Sequence, residues 1–146
     1  MDHSNTDAGT RVELHCHTKL GSVGAVNSAA EIIKAAIEEA MSAVAITDHG
    51  VMYGAIDFYR ACKAEGIHPI IGGEVYVAGR TRVDKVDEYD AESRHLVLLC
   101  KNETGYRNLS YMVSQAFVEG FYIKPRIDLD LLRQHSEGLI ALSACL

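Results

Sequence analysis

The sequence predicts an α/β fold, because short apolar, β-branched segments alternate with amphipathic helical ones and several of the apolar segments run into polar side chains at their ends. With 146 residues, 48% of them hydrophobic, the chain has the size and core content of one globular domain or a piece of one. Strands alternating with helices argue for a parallel sheet or barrel, whose strand ends gather side chains that are distant in sequence.

Each element has its own signal. Residues 1–10 are polar and lack the basic and then apolar run of a secretory signal, so they read as a disordered tail ahead of a folded unit over residues 11–146. Residues 11–15 form a short β-like run. Ser28 opens S-A-A-E, a capping box with Glu31, and a helix follows with Ile32, Ile33, Ala36, Ile37 and Ala40 on one face. A-V-A-I-T (residues 43–47) is a buried strand leading into D-H-G. A second helix covers residues 53–65 and stops at Gly66, and P-I-I-G-G-E-V-Y-V (69–77) is a third strand.

Residues 78–93 are charged without apolar periodicity and read as a surface insertion. H-L-V-L-L-C (95–100) is a fourth strand. Residues 102–119 form a helix with Leu109, Met112, Val113, Ala116 and Phe117 inward and Gly120 as its stop. Asp128 caps a short helix over 129–135, and G-L-I-A-L-S (138–143) is a fifth strand.

Bulk properties exclude several functions. A formal charge of −6 argues against a self-sufficient nucleic-acid binder, since phosphate affinity comes from excess Lys and Arg. No apolar run approaches a membrane span. Cys16, Cys62, Cys100 and Cys145 are scattered with no C-x-x-C pair, which points to a reducing cytoplasm.

The chemistry-bearing residues follow the strands. E-L-H-C-H places His15 and His17 two apart, so on an extended strand both imidazoles point to one side. Asp48 and His49 follow the second strand, Glu74 sits in the third, His95 opens the fourth and Cys145 follows the fifth. Neutral imidazoles, a carboxylate able to bridge two cations and a thiolate form the donor set of a multinuclear metal site. Each also has an ordinary alternative: Asp48 as a helix cap, Glu74 as the partner of an Arg, Cys145 as a buried apolar thiol.

The strings E-L-H-C-H-T, A-I-T-D-H-G, I-I-G-G-E-V-Y-V, H-L-V-L-L-C-K-N-E-T-G-Y-R-N-L and E-G-L-I-A-L-S-A-C-L resemble the successive motifs of the polymerase and histidinol phosphatase (PHP) domain, in family order. M-Y-G-A-I-D-F-Y and G-F-Y-I-K-P-R-I-D resemble the branch at the start of bacterial DNA polymerase III alpha subunits. The resemblance implies a partial, distorted barrel of the (β/α)7 kind, of which about the first five strands are here, and up to three divalent ions, Zn2+ or Mn2+. It assigns His15, His17, His49, Glu74, His95 and Cys145 as metal ligands, His15, His17 and Glu74 as the catalytic set, and Asp48 as a residue orienting a neighbour. Gly24 stands where polymerase relatives carry a ligand, and the family's late Asp-x-His motif lies past Leu146.

The activity implied is metal-dependent phosphodiester hydrolysis, as a 3′-to-5′ proofreading exonuclease. Implied partners are the remainder of the alpha subunit, DNA through the full polymerase, and replisome proofreading or clamp subunits. The alternatives are a stand-alone phosphatase of the histidinol phosphatase kind and a non-catalytic scaffold. The 146-residue chain alone is expected to be inactive.

Overall fold

The computed structural model describes residues 11–21 and 24–144. The tail at 1–10 and Cys145 therefore lie outside the described residues. Helix α1 (Ala29–Glu38) starts at the predicted capping box: the Glu31 amide donates to the Ser28 hydroxyl, and the Ser28 amide donates back to the Glu31 carboxylate at 2.6 Å. Its buried face is narrower than the pattern implied, with Ile33 and Ala36 inside and Ile37 exposed. Strand β1 (Ala43–Ile46) is buried throughout. Helix α2 (Ala55–Glu65) ends at Gly66, whose φ of 74° is the left-handed turn that glycine accepts without strain.

Strand β2 (His68–Ala78), the one-turn helix α3 (Asp87–Asp90), β3 (Ser93–Cys100), α4 (Glu103–Val118), β4 (Arg126–Ile127), α5 (Leu129–Gln134) and β5 (Leu139–Ser143) complete the order. The sheet runs β1-β2-β3-β5, with β4 beside β2. Strands β1 and β4 are parallel to β2, but β3 is antiparallel to β2 and β5 antiparallel to β3. The parallel sheet expected from the alternation is thus a mixed one. Between β2 and β3 only α3 is helical, and this charged connection offers no apolar stripe to lie across the sheet, so the chain doubles back. The strand predicted at 11–15 is reduced to a bridge from Glu13 to Val44, extended by the Thr47 amide donating to the Cys16 carbonyl.

The helices cover one face of the sheet. Val75, Val77 and Leu98 pack under Leu109, Met112 and Ala116 of α4, while Phe117 stays exposed. Val44 and Ile46 pack against Ile33 and Ala36 of α1 and Phe58 and Cys62 of α2. The opposite face carries Ala45, Val97 and Leu99 and, by the two-residue alternation of β2, Glu74 and Tyr76.

The insertion after β2 is rooted rather than loose. Arg126 of β4 is 1% exposed, and its guanidinium donates to the carbonyls of Gly120, Asp90, Arg82 and Asp84. A buried cation holds such a position only with its donors satisfied, so Arg126 fixes both the insertion and the loop before β4.

Candidate metal centre

Glu74 is the hub. Its side chain is 1% exposed, and its Oε2 lies 2.6 Å from His15 Nε2, 3.1 Å from His17 Nε2 and 3.6 Å from His49 Nδ1. Its other oxygen, Oε1, lies 2.5 Å from His95 Nδ1. The backbone sets this geometry. The Glu74 amide donates to the Asp48 carbonyl at 3.0 Å and the Gly50 amide donates to the Glu74 carbonyl at 2.8 Å, so the D-H-G loop continues the parallel pairing beside β2 and delivers His49. His95 faces Tyr76 in the β2–β3 register and reaches Glu74 diagonally.

The rings crowd together. His17 stacks on His49 at 4.1 Å between centroids, His15 meets His17 edge-on at 4.8 Å, and His49 meets His95 at 5.5 Å. Burial pushes the Glu74 carboxyl up, but the hydrogen bonds from His15 and His95 outweigh it and hold the group below the usual carboxylate range. Burial first, and then the neighbouring His17, lowers His49, which is therefore neutral at neutral pH and offers a lone pair.

This donor set fits divalent cations. Among the described residues, two groups have ligand atoms within 4.8 Å of one another: His15, His17 and Glu74, and His49, Glu74 and His95. Glu74 belongs to both and gives a different oxygen to the closest histidine of each. Nδ1 of His17 and Nδ1 of His49 are buried without a hydrogen-bond partner among the described residues. Unpartnered buried ring nitrogens are uncommon in a folded protein, and coordination is one way to use them.

Asp48 belongs to neither group, and its carboxylate holds Thr18. Its Oδ1 accepts the Thr18 amide at 2.5 Å and its Oδ2 the Thr18 hydroxyl at 2.8 Å. The turn that follows His17 is thereby tied to the loop that carries His49. Gly21 is required there, because a Cβ would fall 2.1 Å from Asp48 Cβ. Gly24 is exposed, and a Cβ on it would meet nothing within 4 Å among the described residues. His68 is exposed, and His135 leans on Tyr111 at 4.6 Å, both away from the cluster.

The sequence profile of the PHP domain matches residues 13–146. The chain belongs to the PHP domain family. This PHP domain is 52% identical over 138 residues to DNA polymerase III subunit alpha of Chlamydia pneumoniae, and 47% identical over 137 residues to that of Treponema pallidum. Those alignments cover 94% and 92% of this chain but 11% and 12% of the relatives, so the chain spans about one-ninth of the length of the curated relatives it matches. An amidohydrolase from Chromobacterium violaceum, solved with sulfate and no metal, superposes with a TM-score of 0.52 at 24% identity over 72% of this chain and 32% of that one. A protein assigned as a metal-dependent phosphoesterase from Bifidobacterium adolescentis does so with 0.50 at 21% identity, covering 73% and 33%. Both share the fold.

Thr18, Tyr76 and Arg126 were not singled out from the sequence of the PHP domain. Their importance lies in single contacts between distant segments, which no periodicity records.

Proposed function

We propose that this PHP domain is the metal-dependent phosphoesterase portion of a bacterial DNA polymerase III alpha subunit, hydrolysing phosphodiesters at the 3′ end of DNA as a proofreading exonuclease. One observation carries the metal reading: a single buried carboxylate, Glu74, divides its two oxygens between His15 and His17 on one side and His95 on the other. The relatives' name supplies the replication setting.

In this reading His15, His17 and Glu74 hold one divalent ion, and His49, Glu74 and His95 a second. Cys145 adds a thiolate, which favours Zn2+, while the nitrogen and carboxylate donors also suit Mn2+. Such ions, when bound, lower the pKa of water and polarise a phosphoryl oxygen. The chain's own residues bind and orient. Glu74 supplies the negative charge that holds the cluster together, His49 stays neutral to donate its lone pair, and Asp48 fixes the turn after His17 through Thr18. Gly24 has no side chain to contribute, which limits the domain to two ions and favours, as a second reading, a scaffold that binds metal without turnover. The remainder of the alpha subunit supplies further ligands and the DNA contacts, proofreading or clamp subunits attach through it, and the protein works in the cytoplasm.

The test uses the full-length protein. Metal content after dialysis is measured for the wild type and for a His15→Ala, His17→Ala variant, together with nucleotide release from a single-stranded 3′ end and a Glu74→Ala control. The double variant is expected to lose bound metal and hydrolysis while polymerisation persists. Equal metal content in the two proteins sinks the metal reading, and metal without Glu74-dependent hydrolysis selects the scaffold.

A further inference from the structure

The segment G-F-Y-I-K-P-R-I-D, residues 120–128, has no part in the centre described above, yet its backbone is strained and its loop lies against the centre. The Tyr122 amide donates to the Lys124 carbonyl at 3.1 Å and the Lys124 amide donates back to the Tyr122 carbonyl at 2.6 Å. Ile123, at the apex, has a φ of 64°. Closure between residues two apart around a positive φ is the rare, strained form of γ-turn, and a β-branched residue is poorly suited to it. Strain of this kind persists where the surroundings impose it, and it concentrates at functional positions.

The surroundings do impose it. Arg126 is buried and donates to the Gly120 carbonyl, and Gly120 itself has no room for a Cβ, which would meet the Arg126 carbonyl oxygen at 1.9 Å. Pro125 is wedged beside the D-H-G loop, since a Cβ on Gly50 would lie 3.0 Å both from the Pro125 ring and from the Tyr76 ring. The turn is pinned at its base and along its side.

What the turn delivers is a cation. Lys124 Nζ lies 4.7 Å from the centroid of the Tyr76 ring. That ring meets His95 edge-on at 4.9 Å and stacks with His49 at 6.1 Å. A single aromatic ring therefore separates the ammonium from two of the histidines around Glu74. Lys124 is exposed and, among the described residues, makes no ion pair with a carboxylate. In a chain with 20 acidic and 14 basic residues, a free ammonium beside the centre is placed to receive an anion.

We propose that Lys124 binds a phosphate oxygen of the substrate beside the metal centre, with Tyr76 as its resting platform, and that the turn at Ile123 serves to present it. The proposal rests on the phosphoesterase reading above and adds a substrate-binding residue to it. A lysine suits the task, because its compact ammonium on a flexible stem can leave the ring face for a phosphate and return.

The experiment footprints lysines in the full-length protein with acetic anhydride, read by mass spectrometry, in the presence of manganese and with or without thymidine 5′-monophosphate. Labelling at Lys124 is expected to fall about threefold at a nucleotide concentration twice the dissociation constant, with Lys34 and Lys63 as unaffected references. Unchanged labelling of Lys124 overturns the proposal. The footprint needs no turnover, so protection in a protein that hydrolyses nothing rejects the exonuclease reading alone. For hydrolysis of a single-stranded oligonucleotide, Lys124→Ala is expected to raise KM about tenfold with kcat and metal content held, and Lys124→Arg to restore most of the loss. Lost metal, or a lower kcat at unchanged KM, makes Lys124 a structural support of the centre and overturns the proposal as well.

Discussion

Asp48 and Thr18 form a closed pair across 30 residues of sequence: one carboxylate oxygen accepts the Thr18 amide at 2.5 Å and the other its hydroxyl at 2.8 Å. Both residues are buried, so removing the carboxylate strands two donors in the interior. Asp48→Ala is expected to cost about 1–3 kcal/mol of stability, read by urea unfolding. Metal affinity, read by chelator competition, should fall about 10–100-fold, because the turn that positions His17 is no longer tied down. Asp48→Asn should cost less, since its amide oxygen still accepts the Thr18 amide. Wild-type affinity in Asp48→Ala would remove Asp48 from any role in orienting the ligands.

Two glycines separate steric from conformational demand. Gly120→Ala puts a methyl against the Arg126 carbonyl, while Gly66 has open space around it but a φ of 74°. The first is expected to cost about 1–3 kcal/mol through displaced backbone and the second about 1 kcal/mol through the left-handed conformation alone. Thermal unfolding of the two variants measures the difference, and equal shifts would show that the Gly120 contact relaxes freely.

Acid should loosen the cap of α5. Burial raises the Asp128 carboxyl, but the amides of Arg82 and Leu131 and the Arg82 guanidinium outweigh it and hold the group below its ordinary value of 3.8. A group depressed in the folded state contributes stability above its unfolded value and loses it as pH falls through the folded one. Urea midpoints measured from about pH 5 down to about pH 2 should therefore drop less steeply in Asp128→Asn than in the wild type. Parallel curves would show that the carboxylate is not held by Arg82.

The thiols divide by reactivity. Burial pushes Cys16, Cys62 and Cys100 up to about 11, with Glu13 adding to the effect at Cys16. At neutral pH well under about one in a thousand of these thiols is ionised, so native alkylation by iodoacetamide should be slow at all three whether or not metal is present. If Cys145 is a ligand, its alkylation in the full-length protein accelerates when a chelator is added. Rapid labelling of Cys145 with metal bound would strike it from the ligand set.

The local parts of this molecule were legible because their causes are local. The Ser28–Glu31 capping box, the stop at Gly66, the cap at Asp128 and the apolar strands each follow from a few neighbouring residues. The ligand-type residues could be picked out as well, since H-x-H, D-H-G and the strand with Glu74 combine residue type with strand-end position. Tertiary structure decided what depends on distance in space. It reversed β3 relative to both of its neighbours, β2 and β5, because strand direction is set by how the connections pack and not by the strands' own composition. It shortened the first strand to a bridge at Glu13, left Ile37 and Phe117 in solvent, and gathered four imidazoles on one carboxylate. Tyr76, Thr18 and Arg126 acquired their roles only there, since a ring beneath an ammonium, a closed hydrogen-bonded pair and a buried cation among carbonyls are relations between segments that the linear order keeps apart.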